Sequence, residues 1–310
     1  MIDPELAAML DLLPVLDLTD PVAARADFET MLAALRSEIP GADALEIEDR
    51  RVPGWEGDPE VPVRIYRTKG SAGSVPGIVL IHGGGFIIGS VETEHVGAAM
   101  TAVATGAVVV SVEYRLAPEH PFPAGLHDCY SALSFVARES EALGIDPARV
   151  ALVGTSAGGG LAAGTALLAR DLGGPAVCFQ MLHIPELDDR LATPSMQAFV
   201  DSPVWNRPLA VKSWQAYLGG GVDDVSPYAA PARAADLSGL PPAYISTAEI
   251  DPLRDEGILY GLRLLQAGVS VELHQFPGTY HGSALVTTAA VSKRAQSEGT
   301  VVLRRALGLD

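Results

Sequence analysis

Val150-Ala151-Leu152-Val153-Gly154-Thr155-Ser156-Ala157-Gly158 decides the fold of this chain. Four apolar residues, enough for a buried strand, run straight into a Gly-x-Ser-x-Gly turn, and a small-residue helix from Gly160 to Ala169 follows. A serine on so sharp a turn takes a strained backbone, and glycines two residues to either side remove the clashes. The turn lifts the hydroxyl clear of the sheet and leaves the next N–H, that of Ala157, at a helix N-terminus with no intrahelical partner. A nucleophilic serine needs this arrangement, together with a base, an acid and oxyanion donors in a compatible order.

Outward from that turn, short apolar runs at 78–81, 108–112, 150–153, 177–182, 243–246 and 269–273 alternate with helical segments near 93–105, 122–143, 157–171, 253–267 and 284–307. Continuous apolar runs between helices are the pattern of parallel strands buried on both faces. Ahead of them, 47–52 and 61–66 alternate in polarity around Pro53-Gly54 and read as an antiparallel hairpin. The expectation is an α/β fold with an eight-stranded, mostly parallel sheet flanked by helices. Residues 1–45 are helical and amphipathic, with Leu6, Met9, Leu10 and Leu13, then Phe28, Met31, Leu32 and Leu35, at helical spacing, cut by Pro14, Pro21 and Pro40. Residues 186–235 are longer than a βα connection needs and read as an insertion over the C-terminal edge of the sheet, where open α/β folds place ligands. The domain reading is therefore a helical cap drawn from 1–45 and 186–235, over a catalytic domain spanning 46–310.

Composition narrows the function. Twenty-one Lys and Arg against 38 Asp and Glu give a net charge of −17. Nucleic acids and anionic membranes both demand a basic footprint, so neither is expected as a partner. No apolar run reaches the roughly 18 residues of a membrane span, and the acidic start Met1-Ile2-Asp3-Pro4-Glu5 lacks a basic n-region. Cytoplasmic localisation is the expectation. Cys129 and Cys178 read as buried reduced thiols, one in a helix and one in a strand. No His/Cys/Asp cluster has zinc spacing, and neither a metal nor another cofactor is expected.

His82-Gly83-Gly84-Gly85 follows the strand at 78–81 and precedes the serine turn. Consecutive glycines let the backbone approach a ligand closely and turn N–H groups toward it. Gly84 and Gly85 are the favoured oxyanion donors, with Gly83 a further candidate, opposite the Ala157 N–H. His82 reads as a structural residue that holds this loop. Seven histidines compete for the role of base, and the elbow arrangement requires the chain order Ser, acid, His. His82, His95, His120 and His127 precede Ser156; His183 ends the next strand; His274 lies within an alternating strand. That leaves His281, in Pro277-Gly278-Thr279-Tyr280-His281-Gly282-Ser283. For the acid, Asp251 stands at the end of the strand at 243–248 and before Pro252, which keeps it extended and opens the next helix. Asp255 and Glu256 fall in that helix's first turns, where carboxylates complement its dipole. Asp251 is preferred; the sequence assigns no role to Glu249.

The ordered set His82-Gly83-Gly84-Gly85-Phe86, Tyr114-Arg115-Leu116-Ala117-Pro118-Glu119, Gly154-Thr155-Ser156-Ala157-Gly158-Gly159, Asp251-Pro252-Leu253-Arg254-Asp255-Glu256 and His281-Gly282 resembles the hormone-sensitive-lipase-like carboxylesterases, bacterial family IV. Pro185-Glu186-Leu187-Asp188-Asp189-Arg190 resembles the branch that contains bacterial heroin esterase. The resemblance implies an α/β-hydrolase fold with a helical cap and often a homodimer through the last strand and helix. It also implies hydrolysis of small-molecule, short-acyl esters, acetyl esters of aromatic alcohols among them. Thr155, where many members carry Asp, and Ser283, where Phe often follows His-Gly, depart from the family pattern and bear on the pocket. A ligand-binding protein on this fold, like the gibberellin receptors, is the rival reading, but those lack the histidine present here at 281. An amidase or lactonase using the same triad is the rival among enzymes. Trp205, Trp214 and Tyr217 are candidates either for the alcohol pocket or for packing of the cap.

Overall fold

The computed structural model describes residues 1–12, 16–34, 39–71, 73–220 and 224–309. Leu13, Pro14 and Leu35 of the N-terminal apolar pattern lie outside these residues. Eight strands form one sheet: β1 (Leu45–Val52), β2 (Val61–Thr68), β3 (Val75–Ile81), β4 (Val108–Val112), β5 (Ile145–Thr155), β6 (Phe179–His183), β7 (Ala243–Ile250) and β8 (Val271–Tyr280). Their order is β1-β2-β4-β3-β5-β6-β7-β8. The β1–β2 and β2–β4 pairs are antiparallel and all others parallel. Every residue of β4 is buried, and Val79, Val110 and Leu152 lie in one continuous core. Helices covering both faces explain why these strands are apolar without alternation.

The helices are α1 (Pro4–Ala7), α2 (Pro21–Ala34), α3 (His95–Thr105), α4 (Ala124–Arg138), α5 (Ser140–Leu143), α6 (Ala157–Asp171), α7 (Pro194–Ala198), α8 (Arg207–Tyr217), α9 (Arg254–Gln266) and α10 (Ala290–Ala306). The single helix expected at 122–143 divides into α4 and α5 at Glu139, whose backbone lies off helical values at φ −96°, ψ 16°. The helix expected from 284 starts only at Ala290, after a 3-10 turn at Ser283–Leu285. Glu5, from the other end of the chain, fixes that start by accepting from Ala290 N at 2.6 Å. β8 also continues beyond the apolar run at 269–273 and the alternating stretch that holds His274, to Tyr280, and so delivers His281 directly. Cys129 is buried as expected, whereas Cys178 is only half-buried and precedes β6 rather than lying in it.

The N-terminal segment and the insertion meet above the strand ends. Leu18 and Ala24 share a cluster with Met196, Trp205, Leu209 and Ala210, closed beneath by Ile87 and Ile88. Arg25 of α2 ties this assembly down, donating to Ile87 O at 2.8 Å and Ala117 O at 2.9 Å while pairing with Glu119. That pairing, chiefly the Arg25 hydrogen bond, holds the Glu119 carboxyl at about 2.

Candidate active site

Ser156 sits between β5 and α6 with φ 58° and ψ −122°, a conformation that persists only where surroundings over-determine it. Its N–H donates to His183 O at 2.8 Å, and its carbonyl accepts from Gly160 N and Glu186 N, each at 3.0 Å. At Gly158 a Cβ would lie 2.2 Å from Ile81 O and 2.4 Å from His82 O, so α6 can approach β3 only on a bare backbone. Gly158→Ala is expected to destabilise the fold by about 1–3 kcal/mol through this overlap, read as a lower denaturant midpoint.

Three of the predicted side chains converge. Ser156 Oγ lies 2.9 Å from His281 Nε2, and His281 Nδ1 lies 2.8 Å from Asp251 Oδ2. Because the carboxylate only accepts, Nδ1 donates to it and Nε2 is left to accept from the serine. Asp251 is fully buried, and its other oxygen accepts from Leu253 N at 2.9 Å. Asp255 instead accepts from Ser195 N at 2.7 Å and pairs with Arg254, stapling α7 to the start of α9. Glu249 accepts from Gly278 N at 2.6 Å and so fixes the turn leading to His281.

The glycine loop passes over the serine turn: a Cβ on Gly83 would stand 3.5 Å from Ser156 Cβ. Each of its carbonyls is tied. Gly83 O accepts from His82 Nδ1 at 2.8 Å, Gly84 O from Ile87 N and Ile88 N, and Gly85 O from Ser213 Oγ at 2.9 Å. In a trans peptide the carbonyl and the following N–H point in opposite directions, so tying Gly83 O and Gly84 O orients the Gly84 and Gly85 N–H groups. Gly84 has φ +125°, open to glycine and closed to other residues. Among the described residues, the N–H groups of Gly83, Gly84, Gly85 and Ala157 donate to no other group.

His82 is buried, stacked on Tyr114 at 4.1 Å, and burial lowers its imidazole to about 4. It therefore serves the loop as a neutral donor. His183 is likewise pushed down to about 4 by burial and bonds Ser246. His274 stacks on Phe276 and pairs with Glu298 at the sheet edge. Of the three cap aromatics, Trp205 lies against the site: its ring is 5.8 Å from His281, and its tip would meet a Cβ on Gly85 at 2.4 Å. Trp214 and Tyr217 pack on Phe86, Tyr217 stacked at 3.9 Å.

The roles of three residues around the site escaped the sequence reading, including that of Glu256, which the sequence places only as a complement to its helix dipole. Glu256 is buried and accepts from Leu187 N and Asp188 N, and burial pushes its carboxyl well above the usual range. Glu186 is fully buried between the serine turn and α8, and Ser213 of α8 holds Gly85. A lone glutamate and a serine on an amphipathic helix carry no local pattern that could reveal this. No group of three or more His, Cys, Asp or Glu side chains that could hold a metal occurs among the described residues, and no described helix is long and apolar enough to cross a membrane.

A serine on a strained strand-to-helix turn, relayed through histidine to a carboxylate at the C-terminal sheet edge, defines a serine hydrolase on an α/β-hydrolase scaffold. The chain belongs to the alpha/beta hydrolase fold family, whose sequence model matches residues 78–285, and within it to the hormone-sensitive-lipase-like carboxylesterases. It is 42% identical to "Carboxylesterase NlhH" of Mycobacterium tuberculosis over 99% of this chain and 96% of that one. The structure of "Bacterial Heroin Esterase" superposes with a TM-score of 0.96 at 54% identity, covering 99% of this chain and 98% of that one. Esterase LipW from Mycobacterium marinum gives 0.90 at 39% identity, covering 98% and 96%. The activity of the present protein is that of a serine carboxylesterase.

Proposed function

We propose that Ser156, His281 and Asp251 carry a two-step acyl transfer on short-acyl esters, with Gly83, Gly84, Gly85 and Ala157 forming the oxyanion hole. The observation that carries this reading is the continuous path from Ser156 Oγ through His281 to Asp251, with contacts of 2.9 and 2.8 Å. Ser156 Oγ attacks the ester carbonyl while its proton passes to His281 Nε2. The carbonyl oxygen becomes an oxyanion facing the loop N–H groups and that of Ala157. Losing one such donor is expected to cost about 2.7–4 kcal/mol of transition-state stabilisation. His281 then protonates the departing alcohol, leaving an acyl-enzyme. Water, deprotonated by His281, attacks that ester; His281 returns the proton to the departing Ser156 Oγ, and the acid is released. Asp251 keeps the proton on Nδ1 and stabilises the imidazolium.

Two features support short acyl groups and aromatic alcohols. Ser156 and His281 are only 5% and 6% exposed, which leaves little room beside the nucleophile. The leaving alcohol must lie near His281 to be protonated, and Trp205 offers an aromatic surface there. The division into a catalytic domain at 46–310 and a cap from 1–45 and 186–235 belongs to this proposal. Its support is the shared packing of Leu18, Ala24, Trp205 and Leu209 above the site. The test is a series of p-nitrophenyl esters of increasing acyl length, with aryl and alkyl acetates beside it. We expect a stoichiometric burst of nitrophenol and kcat/KM falling at least tenfold from acetyl or butyryl to decanoyl. A flat or rising series removes the short-acyl assignment.

The finer proposals on assembly and location follow the same reading. β8 ends the sheet, so its outer edge pairs with no other strand among the described residues, and its own Leu273 is 40% exposed. An unpaired edge with exposed apolar residues suits pairing with a second copy. Light scattering at a dimer mass is the expected result. Cys129 and Cys178 are free, which suits a reducing compartment such as the cytoplasm.

A further inference from the structure

The acyl-transfer steps above make no use of Glu186 or Ser213, although both are fully buried beside them. Glu186 is placed by its own backbone, which donates to Ser156 O at 3.0 Å. Neither of its carboxyl oxygens has a hydrogen-bond partner among the described residues. A buried, unpartnered carboxyl calls for a physical reason. Ser213 is the hydroxyl side chain beside it. That hydroxyl has one hydrogen, already given to Gly85 O at 2.9 Å, since a carbonyl can only accept. The Ser213 oxygen can therefore only accept from Glu186, and only a protonated carboxyl has a hydrogen to offer.

We propose that Glu186 acts as a neutral acid, a positioning residue that supports Ser213 in holding the Gly85 carbonyl and with it the oxyanion loop. Ionisation reverses the relay: Ser213 turns its hydrogen to the carboxylate, Gly85 O is released, and a negative charge appears beside the forming oxyanion. This rests on the acyl-transfer reading above.

No cation is among the titratable groups that act on Glu186 or on which it acts. Those groups are Asp251 after β7, Glu256 on α9, Tyr114 after β4 and Tyr217 on α8: Asp251 raises the Glu186 carboxyl, and Glu186 in turn raises the other three. Burial, with a smaller contribution from Asp251, pushes the Glu186 carboxyl up to about 8. The neutral form then prevails at neutral pH and gives way just above it.

The test is the pH profile of kcat for p-nitrophenyl acetate between pH 6 and 10. Wild type is expected to lose activity above about pH 8 with a single ionisation. Glu186→Ala should lose at least tenfold in kcat at pH 7 with KM within about twofold. Glu186→Gln should restore most of that loss, because its amide donates at every pH, and should show no alkaline limb. Ser213→Ala should lower kcat and flatten the same limb. A thermal readout is independent of turnover. A carboxyl raised from 4.5 to about 8 by folding stabilises the protein below 4.5, and that stability is lost as pH rises through 8. The melting temperature of wild type should therefore fall relative to Glu186→Gln across this window. An unchanged alkaline limb in Glu186→Gln, or a melting difference that stays flat with pH, would overturn the proposal. Absence of a nitrophenol burst in wild type would instead count against Ser156 as nucleophile.

Discussion

Ser156→Ala is expected to abolish turnover, by about 10⁶ in kcat, the scale on which removing the nucleophile of such a triad acts. The substitution removes one oxygen from a 5% exposed position and leaves the turn intact. The strained backbone is held by His183 O, Gly160 N and Glu186 N, none of which involves the hydroxyl. Circular dichroism and melting temperature should therefore match wild type. The nitrophenol burst should vanish, because no acyl-enzyme can form, while substrate binding survives. Turnover within a factor of ten of wild type would remove Ser156 from the mechanism.

Asp251→Asn is the second large effect, with about a 10⁴-fold loss in kcat expected. The carboxamide is isosteric with the carboxylate, and its oxygen would keep the bond from Leu253 N that Asp251 Oδ1 now accepts at 2.9 Å. The amide nitrogen would then face His281 Nδ1, where a carboxylate oxygen now accepts at 2.8 Å. A donor at that place forces His281 to accept on Nδ1 and to carry its hydrogen on Nε2, pointed at the serine. The base would be present with its proton on the wrong nitrogen. Steady-state kinetics should show the loss in kcat with KM little changed. By contrast, Asp255→Asn perturbs the Ser195 staple and should leave kcat within a few-fold of wild type.

The two carboxylates show how a local pattern separates roles. Asp251 precedes a proline at a strand end, which fixes an extended backbone and aims the side chain past the sheet edge. Asp255 lies one helical turn further on and turns back to α7. The glycines were equally legible, because Gly84 and Gly158 answer to backbone geometry within a few residues or to the adjoining strand. Where the sequence reading departed from the structure, the cause was remote contact. The start of α10 is set by Glu5, 285 residues away, and no pattern around Ala290 announces it. The extension of β8 to Tyr280 depends on pairing with β7, which resumes at Ile250 after an irregularity.

By itself the sequence determined the α/β class, the turn bearing Ser156, and the chain order that leaves His281 and Asp251 as its partners. Such features are written in strand-and-helix periodicity and in residues that a strained turn or a strand end demands, so they survive without a third dimension. Only the tertiary structure decided what holds the oxyanion loop and what roofs the serine. Ser213 reaches Gly85 across 128 positions, Trp205 reaches His281 across a docked insertion, and Glu186 is buried against the serine turn through its bond to Ser156 O. These depend on where long connections settle on the sheet, which is fixed by packing rather than by any local pattern of residues.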